Sequence, residues 1–120
     1  MALPIRRPYR LLMITFDLTS TIPGDPRYDD ADRALKSHGL IFRPIKQLRL
    51  IITRSTSARI KASLDQQIGR STSVFITPIT SIPAWRIHGA AKRREWRDFN
   101  NALLDHGIIV RYASSNSEYS

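Results

Sequence analysis

Asp17 is the carboxylate of this sequence that most suggests chemistry. It lies near the end of an apolar segment, residues 11–18, whose composition favours a β-strand. A carboxylate between Phe16 and Leu18 is costly to bury without a partner, so Asp17 either faces solvent or has a function. The local alternative is that its side chain accepts hydrogen bonds from the backbone of residues 19 and 20 and shapes a turn.

Strand alternation predicts the direction in which Asp17 points. A core covered by helices would receive the side chains of Leu12, Ile14, Phe16 and Leu18. Asp17 would then face the opposite side of the sheet, together with Met13 and Thr15. We expect a symmetric second copy of the chain to cover that open face. Such a dimer would bring two Asp17 carboxylates together, and paired carboxylate oxygens suit Mg²⁺, the one cofactor we expect here.

Two groups of cations could contact the phosphates of a nucleic acid. The first lies on a predicted helix and consists of Lys92, Arg93, Arg94 and Arg97. The second precedes the first strand and consists of Arg6, Arg7 and Arg10; Arg43, in a predicted hairpin, is added to these candidates. The alternative is that these charges form ordinary solvated surfaces, and that Trp96 and Phe99 on the other side of the helix belong to the core.

Other residues with chemical potential are explained locally. His38 and His106 follow predicted helices, where a protonated imidazole would interact with carbonyl dipoles, and the three histidines show no zinc or triad spacing. Four aspartates at the start of a predicted helix are attributed to capping: Asp25, Asp29, Asp30 and Asp32.

Composition limits the class of protein. The chain has 120 residues, of which 42% are hydrophobic and 24% charged, values typical of globular proteins and compatible with a single domain over residues 1–120. The absence of cysteine excludes disulfides, thiolate metal sites and cysteine nucleophiles. No apolar segment is long enough to span a bilayer or serve as a signal peptide, so we expect a cytoplasmic protein without a membrane partner.

The net charge favours a polyanionic partner. Lysine and arginine total 19 and aspartate and glutamate total 10, a formal net charge of +9. Such an excess attracts nucleic acid through long-range electrostatics and counterion release. An acidic protein or lipid headgroups are the alternatives.

Periodicity and turn residues predict an α+β protein. The order is βαββαβ: a strand over 11–18, a helix from Tyr28 to Gly39, strands over 40–45 and 47–53, a helix over 55–69 and a strand over 73–79. Pro78 should end the last strand or place it at a sheet edge. With both helices on one face, this order predicts a ferredoxin-like core over residues 10–80. An appendix over residues 90–112 adds a helix, 90–106, and a strand within 108–112, before a frayed tail over 113–120.

Three segments resemble the Cas-two family of CRISPR-associated spacer-acquisition subunits, especially its solitary SinR-like relatives, over residues 10–85. They are the strand 12–18 that contains Asp17, the helix that begins with Tyr28 and ends at Gly39, and the segment 43–47 that enters the third strand. The resemblance implies a homodimer of ferredoxin-like units. It also implies metal-dependent nuclease activity for some members, with Asp17 as the catalytic and metal-binding residue at the dimer interface.

The third strand departs from the nuclease-competent members. Many of these carry a serine followed by Val-Phe-Glu, whereas this chain has residues 48–51, Leu-Arg-Leu-Ile. The sequence therefore favours nucleic-acid binding without cleavage. The first alternative is a Mg²⁺-dependent endonuclease acting on RNA or DNA. The second is a regulatory module that binds a protein through the C-terminal helix and strand.

Overall fold

The computed structural model describes residues 7–17, 24–45, 47–70, 72–82, 90–108 and 111–112. The elements are β1 (Arg10–Asp17), α1 (Pro26–Lys36), β2 (Gly39–Ile45), β3 (Leu48–Thr53), α2 (Ser57–Ile68), β4 (Ser73–Pro78), β5 (Ser81–Ile82), α3 (Ala90–Asp105) and β6 (Arg111–Tyr112). The fold is α+β, as predicted. Arg6, Leu18 and the tail 113–120 fall outside the described residues.

Strands β1 to β4 form one antiparallel sheet in the order β2-β3-β1-β4. This strand order and the βαββαβ element order are compatible with a ferredoxin-like fold. Strand β4 ends at Pro78 and lies at a sheet edge, which confirms the prediction from the missing N–H of proline. Asp17 pairs with Ser73 at the end of β1.

The first face of the sheet is covered by α1 and α2. Its buried cluster joins Leu12, Ile14 and Phe16 of β1 to Leu35 of α1 and Leu64 of α2, as strand alternation predicted. The helix ends also follow the sequence signals. Thr56 caps α2 by accepting a hydrogen bond from a backbone N–H, and Gly69 ends it with a φ of +90°.

The second face corrects an expectation. We expected it to be open and to need a second copy of the chain, but α3 of the same chain covers part of it. A separate buried cluster joins Leu50 and Ile52 of β3 to Phe99 and Leu103 of α3. Trp96 packs against this cluster, so the core alternative for Trp96 and Phe99 is the correct one.

Gly39 has a different role from the one predicted. Helix α1 ends at Lys36, and Gly39 is the first residue of β2, so it is not the helix stop. A Cβ at this position would lie 1.9 Å from the carbonyl oxygen of Ile52 on the neighbouring strand. Glycine is required here because the two backbones approach closely.

The appendix is confirmed in outline. Helix α3 is present, and Gly107 follows it with a φ of +71°. Of the predicted strand within 108–112, the structure shows Arg111–Tyr112, which pairs in parallel with β5, a strand that the sequence did not predict. None of the helices in the described part of the chain is long and apolar enough to cross a bilayer.

Candidate nucleic-acid interface

Three arginines share the outer surface of α3. Arg93, Arg94 and Arg97 are exposed and, at about 100° per residue, fall within a sector of about 100°. We call these three residues the α3 arginine face. The opposite side of the helix is held by Phe99 and Leu103, which are 4% and 2% exposed. The core therefore fixes the direction in which the arginines point.

Two predicted phosphate contacts bind the protein itself. Lys92 Nζ donates to the carbonyl oxygen of Arg43 at 2.6 Å and lies 3.1 Å from a carboxylate oxygen of Glu95. The guanidinium of Arg43 lies 3.1 Å from a carboxylate oxygen of Asp32 and over the ring of Tyr28. Lys92 thus ties α3 to β2, and Arg43 ties β2 to α1.

Arg49 is a buried cation that the sequence interpretation missed. Its side chain is 0% exposed, pairs with the carboxylate of Asp32 and lies over the ring of Phe16. Its guanidinium also donates to the carbonyl oxygens of Ile45 and Leu48, each at 3.0 Å. Burial lowers the pKa of Arg49, and the hydrogen bond to Asp32 opposes that shift. The sequence signal for this buried cation is a single arginine within the otherwise apolar strand 48–53.

The capping interpretation is wrong for two of the four aspartates, because Asp30 and Asp32 lie beyond the first turn of α1. Asp25 does cap α1, since its side chain accepts a hydrogen bond from the Arg27 backbone N–H at 2.9 Å. Asp29 lies in the first turn, as expected. Asp32 instead bridges Arg43 and Arg49. Its role is therefore to compensate buried positive charge.

A second group of cations gathers where β1 begins, β3 ends and α2 begins. Arg10 pairs with Thr53 in the sheet register, and its guanidinium donates to the carbonyl oxygen of Ser55 at 3.3 Å. Arg54 lies 4.0 Å from the ring centroid of Tyr9. The full set, which we call the basic end, is Arg7, Arg10, Lys36, Arg54 and Arg59. All five residues are exposed, and the sequence interpretation had selected only Arg7 and Arg10.

The two described histidines differ in their surroundings. His106 Nδ1 donates to the Ala102 carbonyl oxygen at 2.7 Å, which confirms the predicted contact with a helix end. The expectation for His38 is wrong, because its ring nitrogens lie 2.7 Å from the hydroxyls of Ser55 and Ser63. Burial lowers the pKa of His38, and the positive charge of Arg59 lowers it further.

Asp17 is exposed at the end of β1, on the second face, as strand alternation predicted. It lines a shallow groove of about 330 Å³ together with Thr15, Gln47, Ser73 and Phe75. Within the described residues, histidine, aspartate and glutamate form no group of three or more that could hold a metal ion. Mg²⁺ usually binds through one or two carboxylates and keeps several waters, so a second Asp17 carboxylate from another copy of the chain would suit such a site.

No family model, curated protein or solved structure matches this chain. The resemblance to the Cas-two family therefore rests on the sequence features quoted above.

Ion pairing separates the described cations into two classes. Six pair with a carboxylate of the described residues: Arg27, Arg33, Arg43, Arg49, Lys61 and Lys92. The exposed cations outside these pairs, within the described part of the chain, are Arg70, the α3 arginine face and the basic end. Apart from Arg70, the side chains best placed to meet an external anion thus form two surfaces, the α3 arginine face and the basic end.

Proposed function

We propose that this protein binds nucleic acid through the α3 arginine face. The supporting observation is that Arg93, Arg94 and Arg97 are exposed together on a helix whose other side is fixed by the core. A helix held by the core presents the three guanidinium groups on one surface, and the net charge of +9 attracts a polyanion over long range. The proposal also includes the amino-terminal arginines Arg6, Arg7 and Arg10 as further phosphate contacts.

The proposal includes a ferredoxin-like homodimer, in keeping with the resemblance to the Cas-two family. Helix α3 covers only part of the second face, and side chains of β4 remain exposed to solvent. Phe75 of β4 is 60% exposed and lines the same groove as Asp17. A second copy that covered Phe75 would remove a large apolar side chain from water.

Cleavage is the second candidate, and Asp17 is the observation that favours it. Asp17 is exposed beside the hydroxyl-bearing residues Thr15 and Ser73. Two copies of this groove facing each other would supply two carboxylates, and Mg²⁺ held there would activate a water and stabilise charge at a phosphate. Within one copy, Asp17 is the carboxylate that lines this groove, so we favour binding without chemistry.

The test is a binding titration with labelled single-stranded and double-stranded DNA and RNA over a range of salt concentrations. The variant R93Q/R94Q/R97Q removes the α3 arginine face. For duplex DNA, which releases about 0.9 counterions per phosphate contact, the slope of log affinity against log salt should fall by about 2.7. At about 0.15 M salt this corresponds to a loss of about a hundredfold in affinity.

The matched control removes the same charge from the other side of the sheet. The variant R33Q/K61Q/R70Q changes two exposed residues, Arg33 of α1 and Arg70 after α2, and the half-buried Lys61 of α2, so it removes the same three positive charges. An equal loss in both variants would show that only net charge matters and would overturn the assignment to α3. Wild type without salt-sensitive binding to any nucleic acid would favour a protein-binding module.

Catalysis is tested in the same samples by adding Mg²⁺ or EDTA. Cleavage that requires Mg²⁺ and disappears in Asp17→Ala would make the protein a nuclease. Binding that ignores EDTA and survives Asp17→Ala supports the proposal.

A further inference from the structure

The basic end collects cations from separate segments of the chain. Arg10 begins β1, Arg54 follows β3, Arg59 lies in α2 and Lys36 ends α1. The contact between Arg10 and the Ser55 carbonyl holds β1 against the β3–α2 connection. The fold, rather than one run of sequence, assembles this positive surface.

Arg59 occupies an electrostatically unfavourable position. It lies in the first turn of α2, where the positive end of the helix dipole disfavours a cation, and that turn contains no acidic residue. Its charge also contributes to the lowered pKa of the neighbouring His38. Positive charge is thus concentrated here against the preference of the helix, as expected of a surface that meets an external anion.

Aromatic contacts connect the basic end to α3. The guanidinium of Arg54 stacks over Tyr9, whose ring meets the ring of His106 edge-on at 4.5 Å between centroids. His106 lies directly after α3. At about 1.5 Å per residue, Arg97 and His106 are about 14 Å apart along the helix axis, roughly four base steps of a nucleic-acid strand.

We propose that the basic end is a second phosphate-binding surface, which holds the backbone of the same nucleic acid that contacts the α3 arginine face. This inference rests on the proposed function and extends it, because it assigns Arg54 and Arg59 as contacts. The nucleic acid lies along α3 and is bound at both ends of the helix. A ligand of this kind is recognised by its phosphates, so the contacts at the basic end are independent of base sequence.

The experiment compares R54Q/R59Q with R33Q/R70Q, a control with the same loss of charge at exposed positions outside the basic end. Affinity for a labelled duplex and a labelled single strand, each of about 20 nucleotides, is measured over a range of salt concentrations. For duplex DNA, R54Q/R59Q should lower the salt slope by about 1.8 and the affinity by about thirtyfold at about 0.15 M salt; for the single strand the slope should fall by about 1.4. The charge-preserving variant R54K/R59K should stay within a few fold of wild type.

Loss of the Arg54–Tyr9 contact could disturb the fold, so Arg59→Gln is measured alone. Arg59 is exposed, and its backbone N–H donates to Thr56 whatever its side chain. It should lower the slope by about 0.9 and the affinity about fivefold. An unchanged slope in Arg59→Gln, with thermal melting like that of wild type, would overturn the assignment.

The outcomes separate this inference from the proposed function. Wild-type binding that is weakened by the α3 variant but not by R54Q/R59Q keeps the function and rejects the second surface. Weakening by R54Q/R59Q alone would make the basic end the binding surface and would reject both the α3 arginine face and a path of the nucleic acid along α3. Absence of salt-sensitive binding by wild type rejects both.

Discussion

Replacing Asp32 by asparagine should lower the free energy of unfolding, because it removes the carboxylate that pairs with the buried guanidinium of Arg49. The carboxylate of Asp32 is the anionic partner of Arg49, whose side chain is 0% exposed, and it also pairs with Arg43 at 3.1 Å. Asp32→Asn keeps the volume and removes the negative charge. Arg49 then stays charged, because burial lowers the pKa of a guanidinium that ordinarily titrates far above neutral pH.

The magnitude follows from the surroundings of the guanidinium. Removing one partner of a buried ion pair costs about 3–5 kcal/mol of unfolding free energy. Arg49 would keep its hydrogen bonds to the Ile45 and Leu48 carbonyls, and the Asp32 side chain is 16% exposed, so the lower end applies. We expect a loss of about 3 kcal/mol. At an m value of about 2 kcal/mol/M, the urea midpoint should fall by about 1.5 M.

Urea unfolding followed by circular dichroism measures this loss, with Asp30→Asn as the matched control. Asp30 pairs with Arg33 at 3.3 Å on the surface, and that Arg33 side chain is 72% exposed, so the control should cost less than about 0.5 kcal/mol. Adding Arg49→Met to Asp32→Asn removes the stranded charge and should recover part of the stability. A loss below about 1 kcal/mol in Asp32→Asn would refute the reasoning.

Two further changes test other contacts. Gly39→Ala should cost about 2 kcal/mol in urea unfolding, because its Cβ would meet the Ile52 carbonyl oxygen at 1.9 Å; stability equal to wild type would contradict the close approach. The lowered pKa of His38 means that the unfolded chain binds this proton more readily, so stability should fall as the pH drops from about 6.5 to the folded-state pKa and level off below it. His38→Gln should reduce the dependence of the urea midpoint on pH between pH 7.5 and 5. An identical pH dependence in both proteins would contradict the prediction.

Local signals predicted the elements, and contacts distant in sequence decided the rest. Caps and periodicity located α1, α2 and α3 because those signals lie within a few residues of each helix. Gly39 was assigned as a helix stop because the sequence shows its neighbours along the chain but not Ile52 across the sheet. The two-residue strand β5 is too short to show a period.

The sequence predicted all of the α3 arginine face but only part of the basic end. Arg93, Arg94 and Arg97 were found because they are close in sequence. Arg54 and Arg59 were missed, since only folding brings them beside Arg10. The sequence also identified α3 as amphipathic without showing where it docks, so a second copy was expected over a face that α3 partly covers.

The position of α3 in the chain has a consequence for biosynthesis. Helix α3 follows all four strands of the main sheet, and the second buried cluster is completed by Phe99 and Leu103. As the chain emerges from the ribosome, the sheet with α1 and α2 can assemble while Leu50 and Ile52 still face water. Exposed apolar surface of this kind is prone to aggregation. Leu50 and Ile52 are therefore buried only after α3 has left the ribosome.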